Sequence, residues 1–162
     1  MKFLTATYSA HQLAVASGLP KTQVQQYSER GILQFESVKS GDRSYRRYAL
    51  VDVCIAAVIS TLRNLGVAPG AGVIEDDLRP AVGQWLLAQE EPVNGIEKSR
   101  FVVIPETRSP HFTLSGQSLG AQLDARQDDN QSKLQPAMGK PSAFLAIDLK
   151  GISEEVARRL HG

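Results

Sequence analysis

A chain of 162 residues with 42% hydrophobic and 22% charged content can fold around one ordinary core, or around a small domain plus an appendage, and reads as globular. No apolar run approaches the length of a bilayer span, and Met1 to Thr7 lacks the charged-then-apolar layout of a secretory signal, so the cytoplasm is the expected compartment and no membrane partner is expected. The net charge of +1 hides an asymmetry: residues 1–70 hold eight Lys and Arg against four Asp and Glu, whereas residues 71–162 hold ten against thirteen, so only the first part should attract phosphate.

Ser9-Ala10-His11-Gln12 has the spacing of a capping box and predicts a helix starting at Ala10. Leu13, Ala14 and Ala16 give it a thin apolar face, and Gly18 is placed to end it after two turns. Leu19 should pack beneath the turn. Pro20 opens a second helix through Tyr27 or Glu29, with Val24 and Tyr27 inward and Lys21, Thr22, Gln25 and Gln26 outward. Gly31 closes it. Gln34 to Val38 then reads as a strand, Lys39 to Asp42 as a turn, and Arg43 to Tyr48 as the returning strand of a hairpin.

A third helix carries Asp52 in its first turn and ends at Leu65-Gly66. It is apolar on all sides, which predicts burial from several directions and a buried, inert thiol at Cys54, the single cysteine of the chain. A fourth helical segment is expected over Ala71 to Leu78, and a fifth from Pro80 to Ala88 around Trp85. Glu90 to Gly95 has the composition of a linker. Beyond it, Arg100 to Pro105 and Ser142 to Leu149 are the clear strand candidates, with His111 to Leu114 a third. Residues 115–141 are polar and read as a mobile loop, and a short last helix is expected with Ser153 as its cap. The resulting division is residues 1–90 as one domain and residues 91–162 as a linker and a small α+β module, which either stands alone or packs back on the helices.

Leu13-Ala14, Gly18-Leu19, Tyr27-Ser28-Glu29-Arg30-Gly31-Ile32-Leu33, Tyr45-Arg46-Arg47-Tyr48 and Leu62-Arg63-Asn64-Leu65-Gly66-Val67 stand in an order and spacing that resembles the N-terminal DNA-binding domain of the MerR family of bacterial transcription regulators. The resemblance covers residues 8–66. It implies a mainly α fold with a small β component, a winged helix-turn-helix whose second helix enters the major groove of double-stranded DNA while the wing lies along flanking phosphates. The family continues into a long dimerisation helix, and here Pro92 and Gly95 interrupt the chain. A homodimer is therefore expected through the Trp85 helix or the C-terminal module instead.

The chemistry of the residues agrees with that division of labour. A planar amide offers one donor edge and one acceptor, matching the donor and acceptor that adenine shows in the major groove, so Gln25 and Gln26 are the candidates for base contact, with Lys21, Thr22 and Gln23 near the helix start. Arg43, Arg46 and Arg47, joined by Lys39 at the turn, can neutralise phosphates and release counterions. Tyr45 and Tyr48 point to opposite faces of a strand, so one should pack inward and the other reach outward. The bland alternative for each face is a solvated helix or a charged edge strand protected against aggregation.

Nothing else in the chain reads as a reaction centre, so no enzyme activity and no cofactor is expected. His11, His111 and His161 are dispersed, one cysteine cannot build a metal site, and Asp124, Asp128, Asp129 and Asn130 lack the ligand alternation of a calcium loop. Gly116 and Gly120 near Ser115 and Ser118 fit neither a phosphate loop nor a nucleophile elbow. The leading expectation is a bacterial or phage-associated, sequence-specific transcription regulator. The alternative is an architectural DNA-binding factor, excisionase-like or serving phage packaging, that recruits a protein partner.

Overall fold

The computed structural model describes residues 6–67, 73–90, 101–105, 112–114 and 144–161. In chain order the elements are β1 (Thr7–Ser9), α1 (Ala10–Ser17), α2 (Lys21–Glu29), β2 (Glu36–Ser40), β3 (Arg43–Ala49), α3 (Leu50–Asn64), a π-helical turn (Val73–Leu78) running into α4 (Arg79–Glu90), β4 (Phe101–Pro105), β5 (Phe112–Leu114), β6 (Phe144–Asp148) and α5 (Leu149–His161). The fold is mainly α with a small β component. Of the linker expected over Glu90 to Gly95, Glu90 is instead the last residue of α4, and residues 91–95, like the loop expected over residues 115–141, lie outside the described residues.

The local signals of the first half act as their chemistry requires. Ser9 Oγ accepts from the Gln12 amide at 3.2 Å while Gln12 Oε1 accepts from the Ser9 amide at 2.9 Å, which satisfies two of the amides a helix start leaves unpaired. In the turn between α1 and α2, Ser17 Oγ accepts from the Leu19 amide at 3.2 Å, and Leu19 is buried. Pro20 sits one position earlier than expected, as the residue preceding the helix, and its carbonyl accepts from the Gln23 and Val24 amides. Gly31 ends α2 at a φ of +74°, where the Ile32 amide reaches the Tyr27 carbonyl at 2.9 Å and the Gly31 amide the Ser28 carbonyl at 3.1 Å. That doubly bonded close needs a left-handed residue, which glycine enters without a Cβ penalty.

The hairpin is shifted from its expected position. β2 covers Glu36–Ser40, not Gln34 to Val38, because the Gln34 amide is taken by the Asp52 carboxylate at 2.8 Å and is not free for a strand partner. The turn contracts to Gly41-Asp42, with Ser40 opposite Arg43 and Gly41 at a φ of +60°; a two-residue connection places a positive φ at its first central residue when it follows the twist of the strands. β1, which sequence periodicity over three residues could not reveal, pairs antiparallel with β3 as Thr7↔Ala49, Tyr8↔Tyr48 and Ser9↔Arg47. The strand order is β1-β3-β2, so the arginine-bearing strand is central.

α3 is the axis of the core: Asp52 to Ile59 and Leu62 are buried. Burial pushes the Cys54 thiol up to about 12, so it stays protonated and unreactive at neutral pH. The two separate helices expected over residues 71–88 are one continuous helical run. Pro80 has no amide to donate and its ring crowds the carbonyl four residues back; the wider π turn over Val73–Leu78 directly precedes it.

β4 is the centre of the second sheet, paired antiparallel with β5 and β6 in the order β5-β4-β6. The last helix starts at Leu149, four residues before the expected Ser153 cap, because the Asp148 carboxylate accepts from the Lys150 and Gly151 amides at 3.1 and 3.2 Å and takes the capping role. Ser153 lies inside the helix and donates to the Lys150 carbonyl. α5 packs across α1 and α3, and Leu149 and Val156 join the same core as Leu13, Leu33 and Ile59.

Candidate nucleic-acid interface

The inward face of α2 is formed by Val24 and Ser28, both buried, with Tyr27 half-buried beside them. Lys21, Thr22, Gln25 and Gln26 are exposed together with Glu29 on the opposite side, the i, i+4 rows of one helix face. Gln23 falls off this face. It is half-buried, and its Oε1 is shielded with no hydrogen-bond partner among the described residues. Gln25 Nε2 donates to Glu29 Oε1 at 2.8 Å, which holds the Gln25 amide in one orientation.

Residues directly opposite on paired strands share a face of the sheet. Arg43, Tyr45 and Arg47 therefore stand on one face with Val38 and Glu36, and Ser44, Arg46 and Tyr48 on the other with Lys39 and Ser37. Tyr45 is 46% exposed, whereas Tyr48 is fully buried, which resolves the pair: Tyr48 packs inward and Tyr45 outward. The three arginines expected to act alike are divided. Arg43 is exposed, Arg47 is half-exposed on the Tyr45 face, and Arg46 lies on the inner face with its guanidinium 4.7 Å from the centre of the Phe35 ring. Phe35 in turn tilts against Tyr48 at 6.0 Å between ring centres.

Tyr48 joins the two faces into one frame. Ser28 Oγ donates its single proton to the Val24 carbonyl at 2.7 Å and lies 2.9 Å from the Tyr48 hydroxyl, so Tyr48 is the donor of that second bond. The wing is thereby tied to the inner side of α2. A second tie lies at the base of the hairpin. Arg79 Nη1 is 3.0 Å from the buried Asp52 carboxylate, and Arg79 Nη2 donates to the Ile32 carbonyl at 2.7 Å. Glu75 Oε2 stands 3.3 Å from Arg79 Nε, near enough for attraction but off the line of a hydrogen bond. Burial pushes the Asp52 carboxyl above the ordinary carboxylate range, against the opposing pull of the Gln34 amide and the Arg79 charge.

Sequence reasoning singled out Asp52 only as a helix-start residue and missed Arg79 and Glu75. A carboxylate inside an otherwise apolar run was the signal, since a buried charge requires a partner. Arg159 was missed as well: its Nη1 lies 3.4 Å from the Ala16 carbonyl at the end of α1, while its Nε donates to Glu155 Oε1 at 2.6 Å. Among the described residues no His, Cys, Asp and Glu group is placed to hold a metal ion, and no helix is long and apolar enough to cross a membrane.

Residues 8–71 match the family model of the MerR HTH family regulatory protein, about two-fifths of the chain. A comparison with curated proteins finds no match. The matched span begins in β1 and includes α1, α2, the hairpin and α3, the elements that carry the glutamine face and the arginine strand. Residues 8–71 are a helix-turn-helix domain of the MerR family, and in general terms the chain is a DNA-binding transcription regulator.

Proposed function

We propose that this protein is a cytoplasmic bacterial regulator that reads a defined double-stranded DNA site with α2 and grips it with the hairpin, and that it has no enzymatic activity. The observation that carries this reading is the pairing of an exposed Lys21-Thr22-Gln25-Gln26 face with a hairpin face on which Arg43 and Tyr45 are exposed and Arg47 is half-exposed, on elements joined through Ser28 and Tyr48. α2 enters the major groove, where Gln25 and Gln26 meet base edges and Lys21 and Thr22 lie near the phosphates at the helix start. Arg43 and Arg47 neutralise flanking phosphates, Tyr45 adds a contact on the same face, and Lys39, exposed near the end of β2 on the opposite face, adds positive charge at the tip of the hairpin. Arg46 serves mainly to brace the wing through Phe35. A short site read by one helix favours two-fold repetition, and Leu87, 58% exposed on α4, is an apolar residue that the Trp85 helix can offer to a second copy.

Genome-wide binding followed by titration of the enriched duplex at several salt concentrations tests the reading. An Arg43→Ala, Arg47→Ala double variant should remain folded, bind more weakly across all sequences, and flatten the logarithmic salt slope by about 2, one for each lost phosphate contact. An unchanged slope refutes the wing assignment. Enrichment at promoters supports regulation of transcription; enrichment at an attachment or packaging site, with a co-purifying recombinase or packaging enzyme, would replace it by the architectural role.

A further inference from the structure

We propose that Glu29 is a positioning residue that sets the base preference of Gln25. The inference rests on the reading that the outer face of α2 meets base edges. A glutamine amide is nearly symmetric in shape and rotates readily about its last torsion, so a free glutamine can present either its oxygen or its nitrogen to a given point. Here the neighbouring carboxylate favours one orientation. Gln25 Nε2 donates to Glu29 Oε1 at 2.8 Å across one helical turn, and because an ionised carboxylate only accepts, the flipped amide would set two acceptors against each other. Gln25 therefore offers Oε1 and one remaining N–H in a fixed order. Adenine shows a donor at N6 beside an acceptor at N7 and answers that order, whereas guanine shows two acceptors in the same place. Glu29 adds negative charge to a face that approaches phosphate, a cost in affinity that a fixed reader offsets in selectivity.

The test uses the full chain and the duplex best bound by the wild type. The base pair read by Gln25 is identified as the one whose preference Gln25→Ala erases. At that pair the wild type should favour adenine by roughly 5- to 150-fold, the span of one good bidentate contact. Glu29→Gln, which can bond Gln25 in either orientation, should reduce that preference to within about threefold while the best duplex is bound as tightly or more tightly. In a Gln25→Ala background, where this preference is already gone, Glu29→Gln should leave the preferences at the other pairs unchanged. Circular dichroism confirms that α2 remains helical in each variant. Full preference retained in Glu29→Gln overturns the proposal and leaves the reading of Gln25 intact. A preference at another base pair that Glu29→Gln removes in both backgrounds means that Glu29 reads a base itself and also overturns it. A Gln25→Ala variant with wild-type preference at every pair removes the base-reading role of Gln25, and the proposal with it.

Discussion

Tyr48 shows how one side chain links stability to the interface. Its ring is fully buried against Phe35, and its hydroxyl satisfies Ser28 at 2.9 Å inside the core. Tyr48→Phe keeps the ring and leaves Ser28 bonded to the Val24 carbonyl, so only one neutral hydrogen bond is lost. Urea unfolding should report a loss of about 1 kcal/mol with an unchanged slope. A loss near zero would mean that the bond does not tie the wing to α2. At this scale the sequence was partly legible. Alternation along a strand required Tyr45 and Tyr48 to face opposite ways, but which faced the core depended on α2 lying over that side. The same alternation separates Arg46 from Arg43 and Arg47, a distinction hidden when the three are taken only as positive charge.

Helix ends were the most legible elements, because the groups that make them lie within six residues of each other, whereas the hairpin was legible in its returning strand but not in where β2 begins. The Ser9–Gln12 box and the close at Gly31 are of this kind. α5 was misplaced at its start because two side chains competed for the cap. A carboxylate at Asp148 receives two amides, and a charged acceptor is stronger than the Ser153 hydroxyl. Within α5, Glu155 accepts from Arg158 and from Arg159, and these bonds hold its carboxyl down to about 2 from an ordinary value of 4.5. A depressed carboxylate stabilises the fold in full above its ordinary value and loses that contribution as pH falls toward the depressed one. Thermal midpoints of the wild type and Glu155→Gln should therefore differ above pH 5 and converge near pH 2. A gap of constant size across that range would contradict the pairing. The exposure of all three side chains keeps the effect small in salt.

For the whole molecule, the consequential finding is that α5 shares the core of the helix-turn-helix. Leu149 and Val156 are buried with residues of α1 and α3 across a separation of more than 80 positions. Leu149→Ala should cost about 2–5 kcal/mol, the range for removing a buried Leu. Trp85, the single tryptophan and buried in α4, should report the loss in the same transition as far-ultraviolet circular dichroism. Two separate transitions, with Trp85 fluorescence unmoved by the substitution, would show that α5 unfolds independently.

The sequence by itself determined the helix-turn-helix, the hairpin with its arginines, the glutamine face of α2 and the buried character of α3. These follow from short-range rules of capping, turn chemistry and periodicity, whose partners are neighbours in the chain. Only the tertiary structure decided that β1 completes the sheet, that Arg79 answers Asp52, that Arg46 turns to Phe35 while Arg43 and Arg47 remain outside, and that α5 closes over α1 and α3. Each of these depends on bringing distant residues together, where burial selects the partner and no local spacing announces it.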